Sequence, residues 1–196
     1  RRDSIMAYKQ HFIEWFSGKQ IPSYWNTHNR VGTGTFAMAD SADGGFTVTV
    51  DTSTNAESLI NFNGIHQYSH TGSVFIGVVK APVATSLQMV GGGVPTTDLN
   101  HNYSTYRNSS GDTYKTLRSD DTSATQVDTD IPVDTDWTAF KLENKSSQLE
   151  LSISGVLKST QTSNKPTATL QPVMRIWSSG SSAKTGSIRY MECYNT

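Results

Sequence analysis

The chain has 196 residues, with 16 Lys plus Arg against 17 Asp plus Glu and a net charge of -1. That length suits one domain, and the balance supplies no field to hold a polyanion or an anionic membrane surface. Ser and Thr number 25 each, only 17% of residues are charged, and 35% hydrophobic with 10% aromatic residues excludes a disordered chain.

Ile5, Tyr8, Phe12 and Trp15 or Phe16 recur at helical spacing, with Asp3 or Ser4 to cap the start and Gly18 after the end. This predicts one short N-terminal helix over residues 4–17. From there the period changes to two: Phe46, Val48 and Val50 alternate with Thr47 and Thr49, and Ile60 and Phe62 repeat the theme. Ser73 to Lys80 is apolar on both faces and is expected mid-sheet. Further strands are predicted at 33–39, 86–91, 102–107, 112–118, 137–143, 148–154, 156–161, 170–177 and 187–194. Gly91–Pro95 and the Asp-rich run from Ser119 to Asp136 read as surface loops. Thr fits pleated strands through its branched Cβ and Ser fits turns, so composition and rhythm agree on an all-β sandwich or barrel. The expected organisation is an N-terminal helix at 1–18 and a single β-sandwich domain at 19–196.

No apolar stretch approaches the roughly 20 residues that span a bilayer, so no membrane partner is expected. Cys193 is the single cysteine, which rules out an internal disulfide. The chain starts at Arg1 rather than Met, as expected of a piece processed or excised from something longer.

Three segments carry a resemblance. Phe12 to Trp25, with Ser17-Gly18 and then Tyr24-Trp25, is similar to the opening of many concanavalin A-like lectin, glucanase and laminin-G domains. Trp137 to Glu143 followed by Leu149 to Gly155 resembles their paired strands, and Ser187 to Asn195 resembles the closing strand. The resemblance implies a two-sheet antiparallel jelly-roll sandwich and no particular activity. Modules of viral and phage tail or spike proteins share this architecture and a Ser, Thr, Gly and Asn-rich composition, which implies an extracellular or virion-surface location.

The family's glucanases carry a Glu-x-Asp-x-x-Glu strand, which is absent here. The five glutamates, Glu14, Glu57, Glu143, Glu150 and Glu192, are scattered, although Glu143 and Glu150 could face each other across a hairpin. No catalytic residue is expected. His66 and His70 are bracketed by Gly64 and Gly72 and lack the helix that would aim both at zinc. Ser181 to Lys184 and Lys184 to Gly186 match two β-lactamase motifs that overlap by a residue and so cannot face each other. Val31 to Phe36 and Gly91 to Gly93 lack the context of a phosphate loop. Legume-type relatives bind calcium through Asp and Asn loops, and Asp128, Asp130, Asp134 and Asp136 supply four carboxylates, but a solvated acidic loop accounts for them. Neither a metal nor a cofactor is expected.

Tyr103, Tyr106 and Tyr114, with Asp98, Asn100 and Arg107, form the richest mixture of aromatics and polar groups. Sugar C–H faces stack on rings and hydroxyls take bonds from Asp, Asn and Arg, so these six are the candidate ligand-binding residues. The expectation is a non-enzymatic recognition or structural module of a viral or phage surface protein with carbohydrate as its ligand. Self-association or contact with a parent protein would run through the N-terminal helix, and nucleic acid is not a partner. The alternative is a polysaccharide hydrolase or lyase with a divergent active site.

Overall fold

The computed structural model describes residues 11–39, 44–62, 67–80, 86–93, 103–108, 113–120, 122–133, 136–178 and 183–196. The described strands are β1 (His11–Glu14), β2 (Trp25–Val31), β3 (Thr35–Met38), β4 (Phe46–Val50), β5 (Glu57–Phe62), β6 (Ser73–Lys80), β7 (Ser86–Gly93) and β8 (Tyr103–Asn108). They continue with β9 (Thr113–Ser119), β10 (Ala124–Pro132), β11 (Trp137–Asn144), β12 (Leu149–Ile153), β13 (Val156–Gln161), β14 (Gln171–Ser178) and β15 (Lys184–Asn195).

These strands form two antiparallel sheets. The first has eight strands in the order β13-β12-β11-β6-β15-β4-β3, with β1 also on β15, and the second has seven in the order β10-β9-β8-β7-β14-β5-β2. β6, apolar on both faces, is central as expected: β11 pairs along one edge and β15 along the other. Between the sheets, Val79, Phe75, Phe140, Leu142, Leu151, Ile153, Met174, Ile176 and Ile188 form one buried core. Two glycines let this core close. A Cβ on Gly77 would lie 2.5 Å from Phe140 Cε1, and one on Gly92 would lie 2.6 Å from Phe75 Cζ, so the bare backbone is what admits each ring.

The N-terminal helix is corrected over its described part. His11–Glu14 is a strand, with His11 opposite Tyr194 and Phe12 opposite Cys193. Of the aromatic residues that suggest helical spacing, Phe16 is buried and Phe12 half-buried, the latter held by a strand rather than a helix, while Trp15 is exposed. Phe12 meets Phe62 edge-on at 4.5 Å, and Phe16 lies 5.6 Å from both Trp25 and Phe46. A free strand edge on β15 outcompetes a short helix, which is marginal unless tertiary packing supports it. Residues 1–10 lie outside the described part.

The Asp-rich run is corrected too. β10 pairs with β9 from Ala124 opposite Ser119 to Asp128 opposite Lys115, and its residues alternate between exposed and half-buried along the whole strand. It is the edge of its sheet, where acidic side chains are tolerated and discourage pairing with another chain. Asp128 and Asp130 stand at the break in register that precedes Pro132.

Candidate functional site

The outer face of the seven-stranded sheet, the one turned away from the core, carries a cluster of one carboxylate and two guanidiniums. Strand alternation decides which residues stand there. On β14, Met174 and Ile176 belong to the core, so Arg175 and Trp177 point outward. On β5, Ile60 and Phe62 are core, and Glu57 falls opposite Trp177 in the ladder. β2 then sets His28 opposite Leu59.

Glu57 is the hub. Arg30 Nη1 donates to its Oε1 at 2.8 Å and Arg175 Nη2 to its Oε2 at 2.8 Å. The carboxylate is 7% exposed, against 29% for Arg30 and 18% for Arg175, so two partly wet guanidiniums are held by one nearly dry acceptor. On the same face Leu59 and Val173 form a separate buried apolar pair. An open cleft of about 450 Å³ lined by Thr27, His28, Asn29 and Arg30 runs beside the cluster.

The loop after Arg30 is pinned from beneath. Asn29 Nδ2 donates to Gly34 O at 3.1 Å, and Ser58 Oγ donates to Asn29 Oδ1 at 2.7 Å. Gly32 turns the chain at a φ of +73°, a conformation natural to glycine. Asp51 then accepts from the Thr33 backbone N–H and hydroxyl and from Ser53 N–H. Those bonds, Thr33's first, hold the Asp51 carboxyl far below the usual range.

Of the six residues picked from the sequence, Tyr114 is placed in the core. It is 2% exposed and its hydroxyl lies 3.1 Å from that of Thr138, so it offers no ring to a ligand. Period two sends Tyr114, Thr116 and Arg118 inward together, which local composition alone does not reveal. Tyr103, Tyr106 and Arg107 all belong to β8, where Tyr103 is opposite Gly93 and Arg107 opposite Met89 without a register break. Asp98 and Asn100 lie outside the described residues, as does His66. Glu57, Arg30 and Arg175 escaped the sequence reading because 27 and 118 positions separate Glu57 from its two partners. The one available signal was an acid at the head of Glu-Ser-Leu-Ile-Asn-Phe, a strand buried at every position.

All five glutamates are engaged. Tyr24 donates to Glu14, Lys141 pairs with Glu143 at 2.7 Å, Lys145 with Glu150 at 2.7 Å, and Glu192 takes His11 at 2.8 Å and the Tyr190 hydroxyl at 2.6 Å. Glu143 and Glu150 do stand directly opposite each other, where Cβ atoms are about 5 Å apart. They lie on the solvated outer face of the other sheet, and the Lys145 bond lowers the pKa of Glu150, the opposite of what an acid catalyst requires. The acidic run is likewise bonded: Asp120 accepts from Thr122 and Ser123, and Asp128 from the Asp130 N–H. No group of three metal-ligating side chains occurs among the described residues.

A second depression, of about 520 Å³, lies on the eight-stranded sheet between Trp15, Val78, Arg189 and Tyr190. Trp15 is 65% exposed there and meets Tyr190 at 4.4 Å between ring centroids, the rings tilted by 53°. It is mainly apolar and holds no carboxylate.

No family profile matches the chain, and no characterised protein matches it by sequence. Solved structures do. The chain superimposes on the Bacillus licheniformis β-glucanase with a TM-score of 0.67 and 10% identity, covering 95% of this chain and 98% of that one. The chain has the concanavalin A-like jelly-roll fold. The carbohydrate recognition domain of Emp47p is similar at a TM-score of 0.65 and 7% identity, with 94% of each chain covered. The Crh5 transglycosylase is similar at 0.69 and 13%, covering 95% of this chain and 84% of that one. Recognition domains and glucan-processing enzymes thus share this concanavalin A-like scaffold, and at such identities the likeness extends to the fold alone.

Proposed function

We propose that the chain is a non-catalytic carbohydrate-recognition module whose ligand lies on the outer face of the seven-stranded sheet, over Arg30, Glu57, Arg175 and Trp177. The observation that carries this reading is the Glu57 clasp itself. Two guanidiniums fixed by one shared acceptor present planar donors beside an indole ring, the combination that takes sugar hydroxyls and C–H faces together. β8 runs two strands from β14 in the same sheet. A lectin domain among the similar structures supports the reading.

Glycosidic cleavage needs two carboxyls about 5 to 9.5 Å apart. On this face the described candidates are Glu57 on β5 and Asp128 on β10, five strand spacings apart in the sheet order, or about 24 Å. A few hydrogen bonds, each worth about 1 kcal/mol net, and one stacked ring give affinity of about millimolar to high micromolar. The module would act on the outside of a cell or virion, where glycans are displayed.

A multivalent glycan array decides the matter. Binding lost in Trp177→Ala and weakened in Arg30→Ala, with both variants folded, is the expected result, and no binding across a broad array would overturn it. The opposed Glu143 and Glu150 favour the rival reading of a divergent hydrolase. Release of reducing ends from a polysaccharide, abolished by Glu143→Gln, would establish that reading instead.

A further inference from the structure

We infer that Arg118 and the polar side chains around it form a buried site for a small monatomic anion, of chloride size, between β9, β10 and β13. Arg118 faces the core from β9 and is fully buried, at 0% exposure. Its Nη1 donates to the Gln161 carbonyl at 3.1 Å, while Nε and Nη2 are buried without a partner. Two hydroxyls share that condition, Thr116 Oγ1 on the same strand and Ser159 Oγ on β13. The Gln161 amide is anchored by Nε2 donating to Thr125 O at 2.6 Å, and Thr125 is the ladder partner of Arg118.

The site is rich in donors and positive. Two guanidinium nitrogens, carrying three N–H bonds, and two hydroxyls that can turn to donate stand with one unpartnered acceptor-only atom, Gln161 Oε1. Among the described residues no carboxylate pairs with Arg118, and the titratable group that feels its charge, His70, is itself a cationic type. A buried guanidinium without a counter-charge is costly, because its desolvation is not repaid. A water molecule adds hydrogen bonds but no charge, whereas an anion supplies both. Complete burial of Arg118 favours a bare ion over a phosphate or a carboxylate-bearing ligand.

Bromide replaces chloride and scatters anomalously, so crystals of the full chain soaked in sodium bromide should show an anomalous peak within about 3.5 Å of Arg118 Nε or Nη2. In solution, sodium chloride or bromide should raise Tm saturably above sodium gluconate at equal ionic strength. The rise should be about 4 °C at ten times Kd for a domain of this size, and it should vanish in Arg118→Met. A water at that position, or Arg118 Nη2 turned onto Gln161 Oε1 with no halide-specific rise, would overturn the proposal. Should Arg118→Met fail to fold, the bromide peak in the unmodified chain and the response of Arg118→Lys decide it.

Discussion

Glu57 on β5 and Arg175 on β14 lie one strand apart in the sheet, and the 2.8 Å bond between them ties together residues 118 positions apart in the chain. Arg30 closes the same carboxylate from the other side. Replacing Glu57 by Ala removes the acceptor from both cations at once. Loss of one partner from a buried pair costs about 3 to 5 kcal/mol, and the partial exposure of both arginines reduces that to about 1 to 3 kcal/mol. Urea denaturation should show the midpoint falling with an unchanged m-value.

Gly77 and Phe140 provide a packing test. A methyl at residue 77 would sit 2.5 Å from Phe140 Cε1 and 2.8 Å from Cζ, so Gly77→Ala should destabilise by about 1 to 3 kcal/mol through overpacking. Gly18→Ala is the control, because its nearest neighbour would be Gln20 O at 3.7 Å. It should leave Tm within a degree or two of the parent.

His70 should make stability fall on mild acidification. Burial, and then Lys165 and Arg118, lower its pKa in the folded state. The unfolded chain therefore takes up this proton first, near pH 6.5, so it binds more protons than the folded chain as pH drops through that value. The stability present above about pH 6.5 is lost progressively until the pH falls below the depressed folded value. His70→Gln should flatten the dependence of the urea midpoint between about pH 7 and pH 5. An unchanged slope would assign it to the carboxylates.

Cys193 should be inert to thiol reagents in the folded protein. It is 0% exposed on β15 between β1 and β6, and burial raises its pKa well above the ordinary thiol value. Labelling by a disulfide reagent should be complete in urea and slow without it. Phe12→Ala loosens the β1 contact opposite Cys193 and should speed labelling several-fold; fast labelling of the parent would show that β1 does not cover the thiol.

The β-sandwich was legible where strand chemistry is local. Ser73–Lys80 and Val156–Gln161 were read with their observed bounds, and most other strands within a few residues, because branched and aromatic residues at period two need no knowledge of the partner. β2 and β10 escaped for the converse reason. Trp-Asn-Thr-His-Asn-Arg-Val and Ala-Thr-Gln-Val-Asp-Thr-Asp-Ile-Pro are polar edge strands, and their order comes from the neighbouring strand to which they hydrogen bond. His11–Glu14 shows a third case, in which a sequence compatible with a helix is taken by a sheet edge formed from the far end of the chain.

The sequence by itself determined an all-β domain, a neutral polar surface, a lone thiol and scattered glutamates, since composition and short-range periodicity record how much surface must be buried and with which backbone. Only the tertiary structure decided that Tyr114 turns inward, that Glu57 gathers Arg30 and Arg175, and that Arg118 is sealed among unpartnered donors. Each of these depends on strand order and register across two sheets. Side-chain direction in a strand reverses with a shift of one residue, and ion pairs form between chain positions that only folding brings within 3 Å.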